Sequence, residues 1–570
     1  MQKEWIIKSK GDETEVSLLA NELNIGFALS NLLIQRGIKT YDQAKAFFRP
    51  SLENLYDPFL MKNMDKAVKR LALAIKRKEK ILVYGDYDVD GTTSVSLVYS
   101  FIKKRYTNLE YYIPDRYDEG YGISYSSIDH ALKNNITLII ALDCGIKAVE
   151  KVAYATQRDI DFIICDHHTP GDIVPDACAV LDPKQKDCNY PFKELSGCGV
   201  GFKFIQAYVI QEKSDINEIY DYLDLVAVSI ASDIVPIIDE NRILAHFGLN
   251  KLYSNPQTGL KAIMKISGIE DRAIKVEDIV FKIGPRINAA GRMESGKNAV
   301  ELLVSDDIKF ATEMSLKINA FNTQRRNVDT NITQQALQML QKNSEFKSKK
   351  STVLYNESWH KGVIGIVASR LTETFYRPTV VLTQSNGFAT GSARSVDGFD
   401  LYQAIDACSD LLESFGGHMY AAGLTLKPEN VKKFTQRFED YVSSNITPEQ
   451  LIPKIEIDAE LKFSEITSKF FRILEQFRPF GPGNMAPVFF TENVTDIGSG
   501  KPVGANTEHL KLDLIHEDTP FTPVPAIAFN MAYHWPAIKD GTAFDIAYSI
   551  TENDFMGKKS LQLVVKDIKT

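Results

Sequence analysis

Apolar and polar positions along this chain recur with two periods, and the changes of period mark its parts. Up to about Lys62, short helical patterns such as NIGFALSNLLIQRGI and YDQAKAFF run into a Pro-bearing connector, FRPSLENLYDPF. Lys66 to Lys80 reads as an amphipathic helix whose charges form a solvated face. From Ile81 the patterns alternate. ILVY, LEYYIP, TLIIALDCG and DFIICDHH predict strands, and TTSVSLVYSFIKK, SYSSIDHALKNN and KAVEKVAYATQRD predict helices between and after them. Repeated strand–helix units predict a mainly parallel sheet with helices on both faces. A mostly helical run follows, containing INEIYDYLDLVAVSIASDIVP. Phe310, Met314, Ile318, Phe321, Val328, Ile332, Ala336 and Leu340 then keep helical spacing, which predicts one long helix linking two lobes. A second, smaller α/β pattern starts at Ser351. From about Pro453 short alternating strands predict a small β-barrel. The expected parts are a helical lead-in over 1–60, the parallel-sheet domain over 61–305, the connecting helix over 306–345, the second α/β domain over 346–450 and the barrel over 451–570.

Composition is that of a globular protein, with 44% hydrophobic and 25% charged residues. The start has no apolar signal core and no apolar run approaches a membrane span, so the expectation is a cytoplasmic protein with no membrane partner. None of the six cysteines forms a CxxC pair, which argues against a zinc knuckle or a disulfide framework. The net charge of −8 counts mildly against nucleic acid as a partner. A local groove and bound cations still allow one.

The chemistry gathers at strand ends. Asp86, Asp88 and Asp90 follow the ILVY strand at every second position, Asp143 follows TLIIAL, and Asp166, His167 and His168 follow DFIIC. In a parallel sheet these ends share one rim, where ligands bind. Ionised carboxylates about 5 Å apart repel by roughly 3 kcal/mol per pair at an effective dielectric near 20. A divalent, oxygen-binding metal would offset that, and a mixture of imidazole and carboxylate suits Mn²⁺ or Fe²⁺ better than Ca²⁺. Asp233 adds a further acid. Neighbouring side chains on an extended segment point opposite ways, so His167 and His168 divide between metal and substrate. Cys144 and Cys165 flank the acids and read as packing residues. GRMESGKN nearly spells a phosphate-binding P-loop, but it lacks the final Ser/Thr and no strand precedes it. Arg286, Asn288 and Arg292 in PRINAAGR offer forked donors beside small residues. In the second lobe, Gly-rich turns carry His360, Ser392, Arg394, Gly417 and His418, a set suited to a nucleotide or phosphate.

Together GDYDVDG, LDCG, DHH, SDIVP, PRINAAGR, WHKGVIGIVASRL, SARS, GGHMYAAG and PFGPGNMAPVF resemble the DHH phosphoesterase superfamily, most nearly its bacterial RecJ single-stranded-DNA exonucleases. The resemblance runs from about Ile81 into the barrel. It implies a DHH domain, a DHH-associated domain joined by a long helix, and an OB-like nucleic-acid-binding barrel. It also implies 5′-to-3′ removal of mononucleotides with Mn²⁺ or Mg²⁺, two ions per site, in DNA repair and recombination. Carried over residue by residue, Asp86, Asp88, Asp143, His167 and Asp233 are the implied metal ligands. Asp143 would bridge the ions, and His168 would be a phosphate-facing or supporting imidazole. Arg286, Asn288, Arg292, His360, Ser392, Arg394, Gly417 and His418 would hold the substrate. Many members of the superfamily carry a histidine where this chain has Tyr84, and a phenol is a poor ligand at neutral pH. Single-stranded DNA, single-stranded-DNA-binding protein and a helicase are the implied partners, and a monomer is expected. The rival readings are a small-nucleotide phosphodiesterase or pyrophosphatase of the same superfamily, and an inactive DNA-binding scaffold.

Overall fold

The computed structural model describes every residue except Met1, Gln2, Asn343 and Met556. The described residues form two compact units. One holds Tyr56–Asp233 and Phe247–Pro453, and the other holds Lys3–Leu55, Ile234–His246 and Lys454–Thr570. Among the described residues no single helix is long and apolar enough to cross a membrane.

The first unit is built on a five-stranded, all-parallel sheet. Its order is Leu109–Tyr112, Lys80–Gly85, Ile136–Leu142, Asp161–Cys165, Ala179–Leu181. The central strands are apolar at nearly every position because both faces are covered. Leu82, Tyr84, Ile139, Ala141, Phe162 and Ile164 pack with Ile128, Ala131, Val152 and Ala155 of the helices Tyr125–Lys133 and Val149–Thr156. The helices Met64–Arg77, Val89–Lys103 and Gly197–Glu212 also pack against the sheet. The spacing read from Phe310 to Leu340 becomes a 35-residue helix, Ile308–Lys342. It leads into a second, mixed sheet ordered Leu412–His418, Ala421–Leu426, Phe388–Arg394, Thr379–Ser385, Thr352–Tyr355.

The second unit centres on a closed barrel. Phe489–Asp496 pairs with Phe544–Phe555, and the ring continues through Lys558–Lys569, Val524–Ala528 and His509–Ile515. Thr495 and Asp496 then pair with Ile515 and Leu514 and close it. That strand order is the OB arrangement. Residues read from sequence as a lead-in share this unit's core: Leu29, Leu32 and Leu33 cluster with Phe477, Phe489 and Ile546. The strand Glu4–Ile7 pairs in parallel with Lys454–Ile457. Arg242 fastens the Ile234–His246 segment, donating to the carbonyls of Phe47, Phe477 and Arg478 at 3.1, 2.9 and 3.0 Å.

Candidate active site

The acids meet on the rim of the parallel sheet because each follows a strand or opens a helix. Asp88 caps the helix Val89–Lys103, its side chain accepting from Gly91 N–H at 2.9 Å. Asp143 follows the strand Ile136–Leu142 with φ +59° and is buried. His167 follows Asp161–Cys165 and is buried, with Nε2 3.2 Å from Asp143 Oδ1, 3.6 Å from Asp233 Oδ2 and 3.7 Å from Asp90 Oδ2. One ligand atom each from Asp143, His167 and His168 lies within 4.8 Å of the others, and the same holds for Asp90, His167 and Asp233. Asp86 and Asp88 belong to neither set of three, yet their charges act on each other and Asp88 acts on Asp143 and Asp233.

The donor set fits a divalent cation. Both oxygens of Asp86, one of Asp143 and both ring nitrogens of His167 are buried without a hydrogen-bond partner of regular geometry among the described residues. The Tyr87 and Gly122 amides only temper the Asp86 charge. Buried polar atoms are ordinarily satisfied, so this group of orphans asks for a partner the chain does not supply. Burial, then Asp88, pushes the Asp86 carboxyl well above its ordinary value. Burial, then Asp90, Asp88 and Asp233, does the same to Asp143. Burial and then Asp90 and Asp88 push Asp233 up to about 8, and burial lowers His167.

The two histidine rings do not point apart as the alternation predicts; their centroids lie 4.6 Å from one another, and it is their surroundings that differ. His168 stands at the more open edge, its Nδ1 2.8 Å from Asp166 Oδ1 and its Nε2 3.2 Å from the Tyr121 hydroxyl. Burial opposes its charge, but Asp166 overrides that and raises His168 to about 9. Asp166 is buried too, yet the His168 hydrogen bond and charge, with the Ile146 amide, hold it at about 2. Asp90 is a bracing acid. It accepts from Gly197 N–H at 2.7 Å, Cys198 N–H at 2.8 Å and Ser229 Oγ–H at 2.7 Å, which seats the N-terminus of the helix Gly197–Glu212. Tyr84 is not aimed at a ligand position. Its hydroxyl donates to Gly122 O at 2.7 Å and its ring stacks on Tyr112, so it pins the loop that carries Tyr121. Burial pushes the Cys144 and Cys165 thiols up, in keeping with packing roles.

A Cβ on Gly197 would stand 2.7 Å from Asp143 Oδ1. With Asp143 as a ligand, Gly197→Ala should lower Mn²⁺ affinity by about tenfold or more by crowding that carboxylate, the scale of a lost outer-shell partner. Isothermal titration with Mn²⁺ checks this, and unchanged affinity would show that the rim yields to the methyl group.

Facing the acids is a group of cations. Arg292 Nη1 donates to Gly362 O at 2.9 Å, and the Tyr117 hydroxyl donates to Arg292 O at 2.5 Å. Gly362 permits this approach: a Cβ there would meet Arg292 O at 2.6 Å. Burial, then Arg116, Arg325 and Arg394, pushes Arg292 down to about 10, so four guanidiniums share one neighbourhood. Arg394 donates to Ser392 Oγ at 3.0 Å. The N-terminus of the helix Ile364–Phe375 adjoins both, since a Cβ on Gly365 would lie 3.0 Å from Ser392 Oγ and 3.2 Å from Arg394 Nη2. A helix N-terminus beside guanidiniums and a hydroxyl is an anion site. Sheet register puts His418, Ala421 and Arg394 in one row, and Gly416, Gly423 and Ser392 in another, so glycines leave this face bare beside Ser392. Gly417 sits in the row of Ala422 and Ala393, which point to the opposite face, and its φ of +153° and contact with Ala421 O give it a backbone role. His360 Nδ1 accepts from Gly362 N–H, and its ring meets Tyr117 edge-on. Arg286 donates from Nε to Asn319 Oδ1 at 3.0 Å and from Nη1 to Lys282 O at 2.7 Å, which uses two of its five N–H donors. Asn288, on the same helix Gly284–Met293, makes no side-chain hydrogen bond recorded among the described residues. Arg116, Arg325 and Tyr121 escaped the sequence reading. The alternation of aromatic, Arg and Gly in DRYDEGYG was the available signal for two of them.

Acids and paired histidines on the rim of a parallel sheet, beside arginines drawn from that domain, the long helix and the second lobe, define a metal-dependent phosphoester hydrolase. Comparison with known proteins agrees in all three parts. Residues 80–230 match the DHH family, N-terminal domain, residues 348–444 the DHHA1 domain, and residues 457–567 the RecJ OB domain. The single-stranded-DNA-specific exonuclease RecJ of Bacillus subtilis (strain 168) is 36% identical over 99% of this chain, which spans 70% of that relative. The protein of the same name from Salmonella typhimurium is 31% identical over 95% of each chain. Among solved structures, RecJ from Thermus thermophilus in complex with Mn²⁺ aligns with a TM-score of 0.84 over all of this chain and 79% of its own, at 24% identity, which speaks to the fold. An exonuclease RecJ bound to manganese aligns at 28% identity and a TM-score of 0.61 over 70% of this chain and 98% of its own. This chain belongs to the RecJ family.

Proposed function

We propose that this protein is a divalent-metal-dependent exonuclease that hydrolyses single-stranded DNA from its 5′ end and releases mononucleotides. The observation that carries the reading is the set of orphaned, buried donors at Asp86, Asp143 and His167, opposite the arginine group. Asp86, Asp88, Asp143, His167 and Asp233 would hold two ions, Mn²⁺ or Mg²⁺, with Asp143 between them. Bound there, the ions would supply the Lewis acidity that phosphodiester displacement needs. Arg292, Arg394, Ser392 and the amides opening the helix Ile364–Phe375 bind the scissile and neighbouring phosphates. His168, whose charged form Asp166 favours, sits with its Nε2 beside the Tyr121 hydroxyl, and from there it stabilises charge on a phosphoryl oxygen.

The barrel offers a strand-binding face of its own. Lys501 stands directly opposite Lys511, and Lys511 opposite Ile527, on an outer face that ends near the exposed ring of Phe529. Two lysines directly opposed across strands repel unless an anion lies between them. An exposed ring beside them suits a stacked base.

The test is release of mononucleotides from end-labelled oligonucleotides with and without Mn²⁺, on single strands and blunt duplexes. Metal-dependent, single-strand-preferring release is expected. Equal rates on both substrates, cleavage confined to dinucleotides, or no cleavage with intact binding would each replace this reading with a rival. Salt dependence separates binding from chemistry. Arg292→Ala and Arg394→Ala should each flatten the log–log salt slope of single-strand binding by about 0.7, the value for one lost phosphate contact. Arg286→Ala should flatten it less, because Nε and Nη1 are each held by a protein acceptor.

A further inference from the structure

Asp329 is a buried carboxylate that the proposed hydrolysis does not use. It lies within the helix Ile308–Lys342 with its side chain 1% exposed, and its Oδ2 is 2.8 Å from Arg370 Nη2 on the helix Ile364–Phe375. Arg325 stands one turn earlier, on the same helix face. Its Nη2 donates to Asn322 Oδ1 at 2.9 Å, and its Nε is buried without a partner among the described residues. The Asp329 charge reaches Arg370, Arg325 and Arg292, and Arg292 in turn feels Arg116, Arg325 and Arg394.

An anion in this place is at odds with a site shaped only for tight phosphate binding. Bracing explains the pair with Arg370, but not a charge set behind Arg325 and Arg292 as well. An enzyme that cuts a strand stepwise must release each phosphate before it seats the next. Holding substrate and product equally tightly lowers KM without raising kcat, and slow release then limits turnover. Resting on the proposed function, we infer that Asp329 is a positioning residue that limits how tightly the arginine group holds phosphate, so that the mononucleotide leaves after each cut. It touches neither substrate nor product and acts through Arg325, Arg370 and Arg292.

Two near-isosteric swaps of opposite charge sign test this in the full chain. Asp329→Asn should tighten binding of thymidine 5′-monophosphate and of inorganic phosphate by about tenfold, and lower KM and kcat together. Asn322→Asp places a new carboxylate on the same Arg325 and should do the reverse to product affinity and KM. Asp329→Glu, which keeps the charge, should stay near wild type. A brace alone would lower the melting temperature without giving product affinities of opposite sign. The inference is overturned if Asp329→Asn leaves product affinity unchanged or weaker while Arg394→Ala abolishes it, in which case the phosphate reading of the arginines stands. If Arg394→Ala also leaves product affinity unmoved, both fall. Should Asp329→Asn fail to fold, Asn322→Asp decides alone, and unchanged product affinity there overturns the inference.

Discussion

Asp143→Ala will cut hydrolysis by more than about a hundredfold at any Mn²⁺ concentration, beyond the loss seen when only an outer-shell partner is removed. Asp143 stands closer to the His167 Nε2 than Asp233 or Asp90 does, at 3.2 Å, and burial together with the charges of Asp90, Asp88 and Asp233 bears on it. No neighbour can take its place. Gly197 fills the space beside it with backbone, and the Asp90 oxygens are taken up by two amides and a hydroxyl. In EDTA, single-stranded DNA will bind the variant more tightly than the unaltered protein, because a negative charge leaves while the arginine group stays whole. Rates on a labelled single strand over a Mn²⁺ series, with binding measured in parallel, check both halves. Retention of a tenth of normal turnover would end the assignment of Asp143 as the central ligand.

The second large effect concerns the metal-free protein. Asp233 has an ordinary carboxyl value of 3.8 and is pushed up to about 8 in the folded state by burial and its acidic neighbours, and Asp86 and Asp143 shift the same way. A folded state that keeps protons the unfolded chain gives up is favoured at low pH. Its stability therefore falls as pH rises from about 4 through 8. In EDTA the melting temperature of the metal-binding unit should decline across that window. Mn²⁺ should oppose the decline by displacing the protons, adding about 2.7 kcal/mol at a hundred times its dissociation constant. Asp86→Asn should raise the melting temperature in EDTA at pH 8 by about 2–6 °C, since it removes an unsatisfied buried charge. It should also shrink the gain from Mn²⁺. A metal-free protein that grows more stable between pH 5 and 8 would show that these carboxyls are ionised and paired by other means.

The rim was legible because each acid directly follows an apolar run whose length and composition mark a strand. Asp86, Asp143 and His167 needed no long-range knowledge to be found. The long helix was equally open to reading, since one apolar stripe from Phe310 to Leu340 specifies it. What escaped depends on contacts between distant residues. Asp90 looks like its neighbours Asp86 and Asp88 in the sequence, and its bracing role appears only when Gly197, Cys198 and Ser229 arrive from more than a hundred residues away. Arg116 and Arg325 look like solvated charges until folding sets them around Arg292. Gly417 reads as a substrate contact from its Gly-rich turn, but the closeness of its backbone to Ala421, which leaves no room for a side chain, carries no local signal. Alternation revealed the barrel, but its closure through Thr495 and Ile515 carries no local signal.

The pairing of Glu4–Ile7 with Lys454–Ile457 has a consequence for how the chain is made. These strands are partners in space and near-opposites in time. At roughly 5–20 residues per second, a ribosome needs on the order of 20–90 s to deliver the second after the first. Throughout that interval Leu29, Leu32, Leu33 and their neighbours have no barrel to cover them. The intervening metal-binding unit carries its own sheets and core, so it has the means to fold while the first helices wait. The opening fifty residues are thus the part of this protein most exposed to chaperones and proteases during synthesis, although they end in the core they share with the barrel.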